Sequence, residues 1–157
     1  MSSKTIWVRN IFQQFLDSAG FDFMLLKNLS IINATDGKVN AEILVEPQHL
    51  NRLKVLHGGM AATLVDIGGS LAIASKGMNS TGLSTDINIT YLDAGRAEDI
   101  IQMNSECVKV GRTLAFTVTE LINKNNGKLI AQGRHTKFIA IAHKDPLNQF
   151  KFPDKKD

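Results

Sequence analysis

The chain has 157 residues, 43% of them hydrophobic and 21% charged, enough for one globular domain with a sizeable core. Its 18 basic residues stand against 15 acidic ones, a formal net charge of +3. So mild an excess excludes the basic face that nucleic acid demands, yet suits a small polyanion met by a few local cations. The single cysteine, Cys107, excludes an intramolecular disulfide and points to a reducing, intracellular setting.

In chain order, residues 5–18 read as a helix stopping near Gly20. Lys4 and Arg9 meet no acid before Asp17, and Ile11, Phe12, Phe15 and Leu16 recur at helical spacing. That pattern serves a mitochondrial import segment or a docking helix, so the expected location is cytoplasmic or mitochondrial. A secretory signal is not expected, for want of an uninterrupted apolar core. Extended stretches over 23–34 and 38–46 flank the turn pair Asp36-Gly37. Pro47 ends the second, and a loop runs from Gln48 to Leu56. Residues 58–75 then carry one charge, Asp66, among small and apolar residues on every face. A helix of that kind is expected to be buried all round. Asp66 at its centre, costing roughly 2.5–3.5 kcal/mol in a bilayer, argues against a membrane span.

Beyond Lys76-Gly77 the period changes to two: Leu83, Thr85, Ile87, Ile89 and Tyr91 alternate with Ser84, Asp86, Asn88 and Thr90. Strands are expected over 99–110, 112–123 and 128–142, with Gly111 dividing the first two and Asn125-Asn126-Gly127 turning between the last two. Residues 1–144 thus form one domain, and the polar tail 145–157, with Pro146 and Pro153, is expected to fray. The fold class is α+β: an antiparallel sheet curled around a long central helix, with an N-terminal helix. A single concave sheet covers only one side of such a helix, so a second subunit is expected over the other.

The central helix opens with His57-Gly58-Gly59. Its first turn offers unpaired N–H groups and partial positive charge, and two glycines let a substrate approach that backbone. Such a site suits an oxygen gaining negative charge, although a Gly pair also serves close helix–sheet packing. Asp66, with no basic residue between 58 and 75, is a costly buried carboxylate and a candidate for chemistry. Eight residues separate it from Gly58, about 12 Å along one helix. Two antiparallel copies of that helix would bring each Asp66 to the other's Gly58, making two composite sites.

Asn51, Leu56-His57-Gly58-Gly59, Ala62-Thr63-Leu64-Val65-Asp66 and Ser84-Thr85-Asp86-Ile87-Asn88-Ile89-Thr90-Tyr91 together resemble the hotdog-fold thioesterases, in particular the PaaI-like branch. The runs from Gly111 to Phe116 and from Gly127 to Lys137 are also similar, so the resemblance covers roughly residues 20–140. It implies hydrolysis of acyl-coenzyme A by a homodimer, commonly paired again into a tetramer. Gly58 N–H would be the oxyanion donor and Asp66 of the other subunit the general base or nucleophile. Asn51 would orient the thioester or water, and Ser84 would hold the water near Asp66. His57 would either bond near the thioester or fix the loop. Arg112, Arg134, His135 and Lys137 are the cations offered to the coenzyme A phosphates, each otherwise a solvated strand-edge charge. No metal or separate cofactor is implied, coenzyme A being part of the substrate. Animal members of this branch suggest medium- to long-chain fatty acyl groups, bacterial ones aryl acyl groups.

Competing chemistries are weaker. Ser70 follows Gly68-Gly69 but precedes Leu71-Ala72 inside the helix, not a nucleophile elbow. Cys107 reads as core, and His49 and His57 lack further ligands for a metal. A hotdog hydratase or dehydratase would need a His–carboxylate pair, and Asp66 has no obvious His partner in sequence. A non-catalytic thioester-binding module would not need Asn51, Gly58, Asp66 and Ser84 together.

Overall fold

A computed structural model describes residues 1–149 of the chain. Helix α1 runs over Ser3–Asp17 and begins early because Ser2 caps it, its hydroxyl accepting the Thr5 N–H. Val8, Ile11 and Phe12 are its buried face, against β1 and the central helix. Trp7 Nε1 donates to the Ala74 carbonyl at 2.9 Å, tying α1 to that helix's last turn.

The stretch 23–34 is not one strand. Phe21–Leu26 forms a short helix, α2, and strand β1 starts only at Ser30 (Ser30–Thr35). The run Phe-Asp-Phe-Met-Leu-Leu is too short for its pattern to separate helix from strand. Placed directly after Gly20, it carries Asp22 in its first turn, which the helix dipole favours.

The remaining strands are β2 (Lys38–Leu44), β3 (Leu83–Tyr91), β4 (Ile100–Val110), β5 (Leu114–Asn123) and β6 (Leu129–Phe138). They form one six-stranded sheet in the order β1-β2-β4-β5-β6-β3, every neighbouring pair antiparallel. Gly37 and Gly127 hold φ of 76° and 74° in the two hairpin turns, as the Asp-Gly and Asn-Asn-Gly signals require. β6 ends four residues before the expected boundary at 142, and Ala142–Lys144 is a 3₁₀ turn instead. The start of the tail does not fray. Asn148 Oδ1 accepts the Asn79 N–H, and the Gln149 N–H bonds Gly77 O. Residues 150–157 of the expected tail lie outside the described residues.

Helix α3, Gly58–Ala74, crosses the concave face of the sheet against β2 through β6. It lies close enough that a β-carbon on Gly133 of β6 would sit 2.6 Å from Val65 Cγ1. The expectation of burial on every face fails along one stripe. Thirteen of its seventeen residues are buried, but Gly58, Ala62 and Asp66, one helical turn apart, are only half-buried, and Gly59 beside them is exposed. β3 pairs only with β6 and forms one edge of the sheet, with Leu83 69% and Tyr91 57% exposed. The fold is the hotdog arrangement anticipated from the motifs. Among the described residues no helix is long and apolar enough to cross a membrane.

Candidate active site

The entry to α3 is built by a folded loop. Leu50 and Leu56 bridge its ends, and the His57 N–H donates to His49 O at 2.8 Å. Asn51 organises the turn: its Oδ1 accepts the N–H of Leu53 at 2.8 Å and of Val55 at 3.3 Å. Two backbone donors fix that atom as oxygen, so the Nδ2 amide keeps its donors free among the described residues. His49, buried beneath, accepts from Glu46 N–H through Nδ1 and donates through Nε2 to Leu25 O, linking the loop to α2.

His57 is the N-cap of α3. Its Nδ1 accepts the Gly59 N–H at 2.8 Å, which places the ring proton on Nε2. Its carbonyl accepts from Met60 and Ala61. Of the first-turn donors, only the Gly58 N–H has no acceptor among the described residues. Tyr91, at the end of β3, was not singled out in the sequence. Its ring lies against Gly58, and its hydroxyl donates to Gly58 O at 3.2 Å, steadying the peptide that carries this free donor.

Two turns along α3, Asp66 differs from the buried, unpaired carboxylate expected. Its side chain is 49% exposed, and His135 Nε2 of β6 stands 3.6 Å from its Oδ1. The sheet supplies the partner that the helix sequence lacks. Ser84 of β3 lies between them, its Oγ 2.8 Å from His135 Nε2 and 3.5 Å from Asp66 Oδ1. The tautomer follows from elimination. The Ser84 hydroxyl has one proton, which a carboxylate acceptor claims, so His135 Nε2–H must donate to Ser84. His135 Nδ1 is buried without a partner, as a bare lone pair rather than a stranded N–H. Burial pushes the imidazole below its usual range despite the pull of the Asp66 carboxylate and main-chain carbonyl.

His135 and Lys137 therefore do not present solvated charges to a phosphate. Residues alternate along β6, so Gly133, His135 and Lys137 all face α3. His135 is 1% and Lys137 4% exposed. Nor is β6 an edge, since β5 and β3 flank it. Arg134 and Arg112 remain exposed, the first on the outer face of β6, the second in the β4–β5 turn. The period-two pattern Gly133-x-His135-x-Lys137 puts the three on one face, and register across β5 and β3 turns that face toward α3. Among the described residues no cluster of His, Cys, Asp or Glu is arranged to hold a metal ion.

The arrangement divides the chemistry along one helix: an unpaired N–H and a free amide at its start, and a carboxylate with a hydroxyl and an imidazole two turns on. Residues 53–130 match the thioesterase superfamily. Acyl-coenzyme A thioesterase 13 of Mus musculus is 40% identical over 139 residues, covering 88% of this chain and 99% of its own. The chain belongs to the thioesterase superfamily. Among solved structures, zebrafish thioesterase superfamily member 2 is 48% identical with a TM-score of 0.78, covering 83% of this chain and 94% of its own. A thioesterase protein of Streptococcus pneumoniae, solved with coenzyme A, is 30% identical with a TM-score of 0.68 over 72% of this chain and 89% of that one.

Proposed function

We infer that the protein hydrolyses acyl-coenzyme A thioesters to the free acid and coenzyme A, at sites shared between two subunits. The observation that carries this reading is the Asp66–Ser84–His135 arrangement, its carboxylate on the same helix that begins with an unpaired Gly58 N–H. Water attacks the thioester carbonyl while Asp66 accepts its proton, and Ser84 orients that water. Gly58 N–H receives the developing oxyanion, and the Asn51 amide orients the thioester or the water. The C–S bond then breaks, and the thiolate leaves with a proton returned from Asp66. His57 Nε2–H is a further donor at the same mouth. An acyl-anhydride on Asp66 is the covalent variant of this scheme. No cofactor enters the balance.

Sharing between subunits is supported by distance and by exposure. Gly58 and Asp66 lie about 12 Å apart on one helix, too far to grip one carbonyl. The uncovered stripe of α3 and the free edge of β3 invite a second copy. Pairing of such dimers into a tetramer belongs to the same proposal. The acyl group would be a medium- to long-chain fatty one, for which exposed Phe21, Phe23 and Met24 of α2 offer apolar surface. Exposed Arg112 and Arg134 are the cations proposed for the coenzyme A phosphates.

A hydratase reading gains one observation, the His135–Asp66 approach. It is disfavoured because proton shuttling would cycle His135 through a buried imidazolium, the form that desolvation penalises. Free-thiol release across a panel of acyl and aryl coenzyme A esters decides between them. Asp66→Asn is expected to lower kcat by about 10²–10⁴. Unchanged turnover would refute the aspartate role, and conversion of an enoyl ester without thiol release would establish the hydratase. Mixing inactive Asp66→Ala and Asn51→Ala subunits should restore activity; none in verified heterodimers would refute the shared site.

A further inference from the structure

One buried charged group has no part in that scheme. Lys137, 4% exposed, extends from β6 to α3, where its Nζ donates to Ser70 Oγ at 2.6 Å. Ser70 in turn donates to the main-chain carbonyl of Asp66, 3.1 Å away and one helical turn back. The ammonium is thus wired to the turn of α3 that presents the carboxylate. Ser70 is its one hydrogen-bond partner among the described residues, although an ammonium carries three donors. Filling space alone does not require a charge here, since an unbranched apolar chain would fill the same gap without the cost of desolvation.

The charges around Lys137 are few. Asp66 of α3 and Asp22 of α2 both act on it, and both act on each other as like charges. His135 is its neighbour on β6, and Asp86 of β3 bears on that imidazole. The charges of α1 are engaged elsewhere: Lys4 with Asp36, Arg9 with Ile31 O, and Asp17 with Gln13. Burial holds Lys137 below its ordinary range and raises Asp22, whereas attraction to the two carboxylates favours the ammonium.

We propose that Lys137 is a positioning residue for Asp66, holding through Ser70 the helical turn that presents the carboxylate. The proposal rests on Asp66 being the base and deepens that reading. Lys137 touches no reacting atom.

The test is the split between kcat and KM in the full-length protein. Lys137→Met is expected to fold and to lower kcat about tenfold with little change in KM. Lys137→Arg should restore most of kcat, and Ser70→Ala should lower it as Lys137→Met does. Wild-type kcat in Lys137→Met would overturn the proposal. If Lys137→Met does not fold, wild-type kcat in Ser70→Ala overturns it equally. Loss of activity in Asp66→Asn with no effect at Lys137 or Ser70 leaves the hydrolytic reading standing and removes this one. Full activity in Asp66→Asn removes the reading itself.

Discussion

Adjacent glycines on α3 offer a paired perturbation that separates packing from positioning. A β-carbon on Gly69 would sit 2.5 Å from Thr117 Oγ1 and 2.8 Å from His135 Nδ1; one on Gly68 would overlap Ser105 Oγ and lie 2.9 Å from Thr119 Oγ1. Alanine at either position gains about 1 kcal/mol of helix propensity. Against it stands an overpacking cost of about 1–3 kcal/mol, at the upper end where two contacts fall below van der Waals distance. Each variant should therefore lose about 1–2 kcal/mol, a fall in Tm of about 3–6 °C for a domain of this size. The two differ in what they push. Gly69→Ala forces the imidazole back by about half an ångström, which stretches its 2.8 Å bond to Ser84 toward breaking. Thiol release per folded molecule should then fall about tenfold or more in Gly69→Ala and stay near wild type in Gly68→Ala. Calorimetry with matched turnover assays measures both. Equal activity in the two variants would refute the claim that close helix–sheet contact aims His135.

Two further outcomes concern acid–base behaviour. Folded His135 titrates below 6.5, the value it resumes when unfolded, so below that pH the unfolded chain binds more protons and stability falls with pH. The loss levels off once the folded imidazole also protonates; urea titrations from pH 8 to 5 should show a flatter dependence in His135→Gln, and an identical slope would contradict the buried neutral ring. Burial raises the Cys107 thiol to about 11, so alkylation of the native protein at pH 8 should run about two orders of magnitude slower than in urea. Equal rates would mean that the thiol is not buried.

Local chemistry made much of this molecule legible. The capped start of α3, its apolar faces and the switch to period two at Leu83 depend on neighbours three or four residues away, or two. The Asp-Gly and Asn-Gly turns behave likewise. Phe21–Leu26 reads ambiguously because six residues after a glycine, five of them apolar, satisfy either pattern, and the choice is made by docking against the rest of the fold. At the site, Asn51, Gly58, Asp66 and Ser84 stood out as residues. What Asp66 meets did not. His135 and Lys137 lie 69 and 71 positions beyond it on another strand, and their charge alone suggested a surface role.

Propensity, capping and hydrophobic period are local, so the chain alone determined α1, α3, the strands apart from the start of β1 and the end of β6, the hairpin turns, and which residues carry chemistry. Tertiary structure alone decided that the odd-numbered residues of β6 face α3, since that depends on register across β5 and β3. That register converts two cations into a neutral imidazole and a buried ammonium around Asp66, and leaves a stripe of α3 uncovered for a second copy.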